Sequence, residues 1–150
     1  MISKFIGSSL LGLILVLLLD FLIFIGIKIN YIDFYHIKEY YNVLFVDHQS
    51  YILLCILSII FGYFILKKSS SKIFTVFYII LVFLSLLTFY KPIGHSIAQF
   101  MFRKDNISFR VGSINFKGDL LYKGRRNTYI YRKDINKVIR LKNSELFYSQ

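Results

Sequence analysis

Three long apolar segments dominate the first two thirds of the chain. They cover about residues 5–27, 51–66 and 73–90, with polar segments between them. Roughly 20 helical residues cross the ~30 Å hydrocarbon core of a bilayer, so the first segment is long enough to tilt and the other two are near the lower limit. The pattern predicts three transmembrane helices in a membrane domain over residues 1–102.

A different pattern begins after Tyr90. Lys91, Pro92 and Gly94 are expected to end the third helix, and from Ile107 onward β-forming residues alternate with charged ones. Residues 103–150 are therefore predicted to form a small extramembrane domain.

This second domain is expected to be β-rich or α+β. Gly118–Asp119 is expected to turn the chain into a strand at Leu120, and Thr128–Arg132 is expected to form a further strand. The segment around Val138 fits either a helix or a strand. The predicted fold class is an α-helical membrane protein with three transmembrane helices, followed by this small basic domain.

Composition agrees with a membrane location. Hydrophobic residues make up 56% of the chain and aromatic residues 19%, more than an ordinary soluble domain carries. Asp20 and Phe21 occupy the place where a signal peptide would have its small-residue cleavage site, so the first segment is interpreted as an uncleaved anchor. Scarce Ala, Pro and Trp beside abundant Ile, Lys and Asn indicate an AT-rich, most simply bacterial, genome. The predicted location is the cytoplasmic membrane.

The basic residues give conflicting evidence on orientation. Lys4 and the 67–72 turn flank the helices closely and favour a cytoplasmic amino terminus. Residues 103–150, however, carry 12 Lys or Arg against four acids, a net charge of +8 out of +11. Because the positive-inside rule weighs residues close to the helix ends most, we expect the amino terminus inside and the tail outside.

Asp20 is the only charged residue between Phe5 and Ile27. Inserting an Asp near a helix centre costs about 2.5–3.5 kcal/mol, so this carboxylate is expected to have a structural partner, a client protein or a proton-conducting role. If Ile27, Tyr51 and Tyr90 mark one membrane face, residue counting predicts an intramembrane polar cluster of Asp20, Ser58 and Ser85.

Two pairs of small residues are spaced for close helix packing. Ser8 and Gly12 lie four residues apart in the first helix, and Ser58 and Gly62 do so in the second. Such pairs let helix backbones approach each other, although Ser and Gly are also common in membrane helices generally.

The segment 28–50 is rich in aromatic and ionisable residues at helical spacing, which predicts a short helix on the membrane surface. It contains His36 and His48, which together with His95 are expected on the same membrane face. Their spacing does not match a metal-binding motif, so no metal site and no cofactor are predicted.

Basic side chains of the tail form a candidate anion-binding group. It comprises Lys123, Arg125, Arg126, Arg132 and Lys133. An anionic lipid or a cell-envelope polymer is the expected ligand, and no nucleic-acid motif accompanies the group. The alternative is a solvated basic face without a ligand.

Catalysis is not predicted, because the sequence lacks a nucleophile elbow, a phosphate-binding loop and paired acids. The interpretation that requires least is a non-enzymatic accessory or assembly protein, chaperone-like or a scaffold, that binds another integral membrane protein. One alternative is a subunit of a proton- or ion-coupled transporter using Asp20, which requires a homo-oligomer or a larger partner. A second alternative is a membrane anchor for an anion- or nucleic-acid-binding tail.

Overall fold

A computed structural model describes residues 2–67 and 70–148 as a helical region followed by an antiparallel sheet. The helices are α1 (Ile2–Ile27), α2 (Tyr41–Asp47), α3 (Tyr51–Leu66), α4 (Ser71–Leu86) and α5 (Lys91–Phe102). The strands are β1 (Lys104–Val111), β2 (Ile114–Lys123), β3 (Asn127–Arg132), β4 (Lys137–Lys142) and β5 (Leu146–Tyr148).

Within the part of the chain that the structure describes, two helical stretches are long and apolar enough to cross a membrane. The first is Ser3–Ile32, in which α1 continues through a π-helical turn at Lys28–Ile32, and the second is Ser71–Phe89. A third crossing is present if α2 and α3, which are bent by 82° at residues 48–50, count as one broken span. Candidate membrane-spanning helices followed by a small β domain are thus confirmed, with two or three spans by length and composition.

The end of α4 is fixed by a polar contact with α1. The buried Asn30 side chain donates hydrogen bonds from Nδ2 to the carbonyl oxygens of Thr88 (2.8 Å) and Phe89 (3.1 Å). These carbonyls follow α4 and have no helical partner there, so Asn30 satisfies acceptors that would otherwise be buried and unpaired.

Residues 91–102 form a separate helix, although Lys91, Pro92 and Gly94 were expected only to end the preceding one. Pro92 lies in the first turn of α5, where its missing N–H has no intrahelical partner to lose. Gly94 sits against the backbone of Thr88, where a Cβ would approach the carbonyl oxygen to 2.1 Å. The proline therefore begins a new helix, and the glycine allows that helix to pack closely against Thr88.

The sheet has the strand order β4-β3-β2-β1-β5, all neighbours antiparallel. β4 and β5 occupy opposite edges, yet only Asn143–Glu145 separate them along the chain. In a flat sheet the two edges would lie about 19 Å apart, whereas this connection spans at most about 14 Å. The sheet is therefore curled into a barrel-like shape.

Each side of the curled sheet has its own apolar core. The concave side buries Phe109, Leu120, Ile130 and Leu146. The opposite side packs on the helical region and shares one core with it, and that core includes Phe24, Ile27, Tyr31, Ile37, Leu44, Ala98, Phe102, Leu121, Tyr122 and Tyr129. Helix α1 and the sheet consequently form a single packed unit, and the sheet is not a separate domain joined by a flexible linker.

Gly118 and Asp119, expected to form a turn, lie within the continuous strand β2. The turn occurs earlier, at Gly112, whose φ of 59° is readily adopted by glycine. The segment around Val138 is strand β4 rather than a helix.

Two buried tyrosines allow a matched test of the shared core. The Tyr31 hydroxyl donates a 3.0 Å hydrogen bond to the Leu121 carbonyl, whereas the buried Tyr122 hydroxyl has no hydrogen-bond partner among the described residues. Tyr31→Phe should lower the free energy of unfolding by about 1 kcal/mol, because it leaves a buried carbonyl unpaired. Tyr122→Phe should be neutral or stabilising.

Thermal unfolding of both variants in detergent checks this expectation. Equal destabilisation by the two substitutions would contradict it.

Candidate functional site

The four small residues of the predicted packing pairs lie on one contact between α1 and α3. A Cβ placed on Gly12 would lie 1.8 Å from the Ser58 carbonyl oxygen, and one on Gly62 would lie 2.0 Å from the Ser8 carbonyl oxygen. The two backbones therefore touch where only glycine fits. Leu15 is near this contact and accepts a 2.9 Å hydrogen bond from the Tyr78 hydroxyl of α4.

This contact fixes which part of α3 lies beside Asp20. The helices are antiparallel with Gly12 beside Ser58, so Asp20, eight residues later in α1, is level with Ser50 at the start of α3. A ~30 Å hydrocarbon core that began at Lys4 would end near Phe24, about 6 Å beyond Asp20 along the helix.

Polar neighbours surround the half-buried Asp20 at this level. The Gln49 side chain and the Tyr41 phenol both interact with its carboxylate. The Gln49 Nε2 atom is itself buried, and no described residue accepts a hydrogen bond from it with acceptable geometry. Within residues 2–67 and 70–148, no ion pair joins a Lys, Arg or His to Asp20.

The structure does not bring Ser58 to the level of Asp20. Ser58 is level with Gly12, about 12 Å from Asp20 along the helix axis, and its hydroxyl donates to the Leu54 carbonyl at 2.6 Å. The Ser85 hydroxyl donates to the Val82 carbonyl at 2.7 Å. Residue counting failed for Ser58 because Tyr51, at the start of α3, is level with Leu19 rather than with Ile27. Ser85 precedes Thr88 by one turn, and Thr88 contacts Leu22 and Gly26 of α1, so Ser85 lies near the level of Asp20.

Most of the tail's candidate anion-binding cations are already occupied. Arg125 binds both carboxylate oxygens of Asp47 through Nε (3.0 and 2.8 Å), which ties the β2–β3 turn to α2. Arg132 pairs with Asp134 and Lys133 with Asp119. Lys123 and Arg126 are exposed on the same part of the sheet.

A buried carboxylate that the sequence did not single out organises the start of the sheet. Asp119 is fully buried and accepts hydrogen bonds from the Arg103 guanidinium (2.8 Å) and the Asn106 backbone N–H (3.0 Å), and Lys133 lies 3.1 Å away. Burial opposes its ionisation, but these donors outweigh that effect and lower the pKa of Asp119 below its usual value. The cluster fastens α5 and the β3–β4 turn to β2, which is a structural role.

The three histidines are dispersed. His48 packs on the rings of Phe102 and Tyr122, while His95 lies among Tyr31, Phe34 and Tyr35. Burial, with Lys91 and Arg103 nearby, lowers the pKa of His95. In the part of the chain that the structure describes, no group of three or more His, Cys, Asp or Glu residues could hold a metal ion.

Comparison with known proteins finds no matching family model, no matching curated protein and no matching solved structure.

The glycine contact leads to a direct test. Gly12→Ala should force α1 and α3 apart and destabilise the protein by about 1–3 kcal/mol, because the added methyl meets backbone atoms that cannot rotate away. Gly7→Ala is the matched control, since nothing lies within 4 Å of its Cβ position. Melting temperatures in detergent compare the two variants, and equal values would contradict the close packing.

The buried carboxylate predicts acid sensitivity. Because the pKa of Asp119 is lower in the folded state, its contribution to stability is complete above the unfolded-state pKa and is lost as the pH falls through the folded-state pKa, below about pH 4. Asp119→Asn should lower the melting temperature at neutral pH and flatten its decline in acid.

Asp105→Asn is the control for this test. It removes an exposed carboxylate that binds the same Arg103, and it should keep the wild-type pH profile. An unchanged profile in Asp119→Asn would contradict the assignment.

Proposed function

We propose that this protein is a non-enzymatic accessory or assembly protein of a cell membrane, which binds and stabilises another integral membrane protein. The observation that carries the proposal is the single core joining α1, α5 and the sheet. It supports a rigid body with one apolar surface within the bilayer and one polar surface outside it. Such a body suits a scaffold, because little conformational freedom is lost when both surfaces engage one partner.

Asp20 supplies a polar contact for such a partner at the membrane boundary. Its carboxylate has an amide and a phenol nearby but no cation among the described residues. A Lys or Arg of a client helix near the same boundary would complete an ion pair there. The bacterial cytoplasmic membrane, with the tail outside, remains our proposal for the location.

The transport alternative has weaker support. A proton path through the membrane would need polar groups below Asp20, whereas Val16, Phe61 and Phe74 form an apolar cluster between the helices, and Ser58 is two turns away. An anion-binding site formed by the five candidate cations of the tail is also less favoured, because three of them pair with the chain's own carboxylates.

Affinity purification of the full-length protein in mild detergent tests the proposal. A membrane protein should co-purify in a fixed ratio with the wild type, less with Asp20→Asn, and hardly at all with Asp20→Leu. Leu18→Ala, an exposed change in the same helix, should retain the partner. Melting temperatures establish that the variants are folded.

A different set of results would contradict the accessory role. A homo-oligomer without a specific partner, together with proton flux into liposomes that Asp20→Asn abolishes, would replace the accessory role with the transport role.

A further inference from the structure

A cationic cleft lies between the loop that follows α1 and the β3–β4 hairpin. Its volume is about 520 Å³. The loop contributes Phe34, Tyr35 and Lys38, and the hairpin contributes Tyr129, Lys137 and Arg140. No carboxylate is among the described residues that line it.

The three cations of the cleft have no counterion within the described residues. None of the ion pairs there involves Lys38, Lys137 or Arg140. Glu39, which follows Lys38, does not line the cleft, and its carboxylate lies beside Gly124 in the β2–β3 turn. Asp33 is paired with Lys28 and Asp134 with Arg132. Like charges brought together without a counterion repel one another, so an anion bound between them is stabilised.

The cleft is held in shape by the shared core. The Tyr129 hydroxyl accepts a 3.1 Å hydrogen bond from the Lys38 backbone N–H, and the buried Ile37 donates from its N–H to the Ile32 carbonyl. His36, which directly precedes Ile37 and Lys38, has a φ of 53°, in the left-handed region that few non-glycine residues adopt. The cations therefore meet across a preformed cleft.

The position of the cleft indicates the ligand. If the hydrocarbon core ends near Phe24, Ile32 lies about 12 Å beyond it, next to the layer of lipid headgroups. Exposed Phe34 suits this level. A guanidinium such as that of Arg140 matches the geometry of a phosphate, and the lysines add charge.

We propose that this cleft binds the phosphate of an anionic phospholipid headgroup. The site is separate from the candidate cations at Arg125, Arg132 and Lys133, and it does not require a protein partner.

Native mass spectrometry of the detergent-purified full-length protein tests the proposal, with phosphatidylglycerol and phosphatidylcholine titrated in parallel. The wild type should retain phosphatidylglycerol in preference. The combined change Lys38→Gln, Lys137→Gln and Arg140→Gln should weaken retention about tenfold or more. Lys104→Gln with Lys117→Gln and Lys142→Gln removes the same charge elsewhere and should leave retention near the wild-type level.

Several outcomes would overturn the proposal. Equal loss in the two triple variants would mean that general charge attracts the lipid, and equal retention of both lipids would mean that the site does not recognise an anion. Displacement of phosphatidylglycerol by millimolar inorganic phosphate would assign the site to a soluble phosphate. If the cleft triple variant does not melt as a folded protein, Lys137→Gln alone, in the exposed hairpin, gives the same comparison with Lys117→Gln.

Discussion

Burial of the end of α1 beneath the sheet is the interaction on which the rest of the structure depends. Ile27, Tyr31 and Ile32 are completely buried, although they continue a helix that otherwise faces lipid. They contact the sheet on one side, while the neighbouring Asn30 holds the end of α4. The helix thereby sets the position of the sheet, the loop after α1 and α5 at once.

Electrostatics follow from the same arrangement. The chain has a net charge of +11, and its acids are few. Four of them form ion pairs that stabilise turns or loops. These acids are Asp33, Asp47, Asp119 and Asp134. The cations without such a partner are available to bind external anions. Those of the cleft lie where the shared core brings the loop after α1 and the β3–β4 hairpin together.

The sequence was sufficient for features that depend on local pattern. Apolar length predicted candidate membrane helices, and alternation predicted the β domain, because both patterns arise within one element. The small residues of α1 and α3 were also identifiable from their spacing. Depth was harder, since α3 follows the bend after α2 and begins level with Leu19 of α1, eight residues before Ile27.

Long-range features lay beyond the sequence for a physical reason. Gly118–Asp119 has the composition of a turn, yet Asp119 is kept in a strand by Arg103 and Lys133, which are 16 and 14 positions away. Likewise, Lys38 and Arg140 belong to segments that share no pattern. Only the three-dimensional pairing of strands and the helix end brings such residues together.

The hydrogen bond between Tyr31 and Leu121 joins residues 90 positions apart, and this separation orders events during synthesis. Chains emerge from the ribosome at about 5–20 residues per second, so the end of α1 waits several seconds for the strand that covers it. During that interval its apolar side is open to aggregation or to a chaperone, while α1 and α3 are already able to pair within the membrane. The membrane part is thus able to mature first and serve as the template on which the sheet assembles.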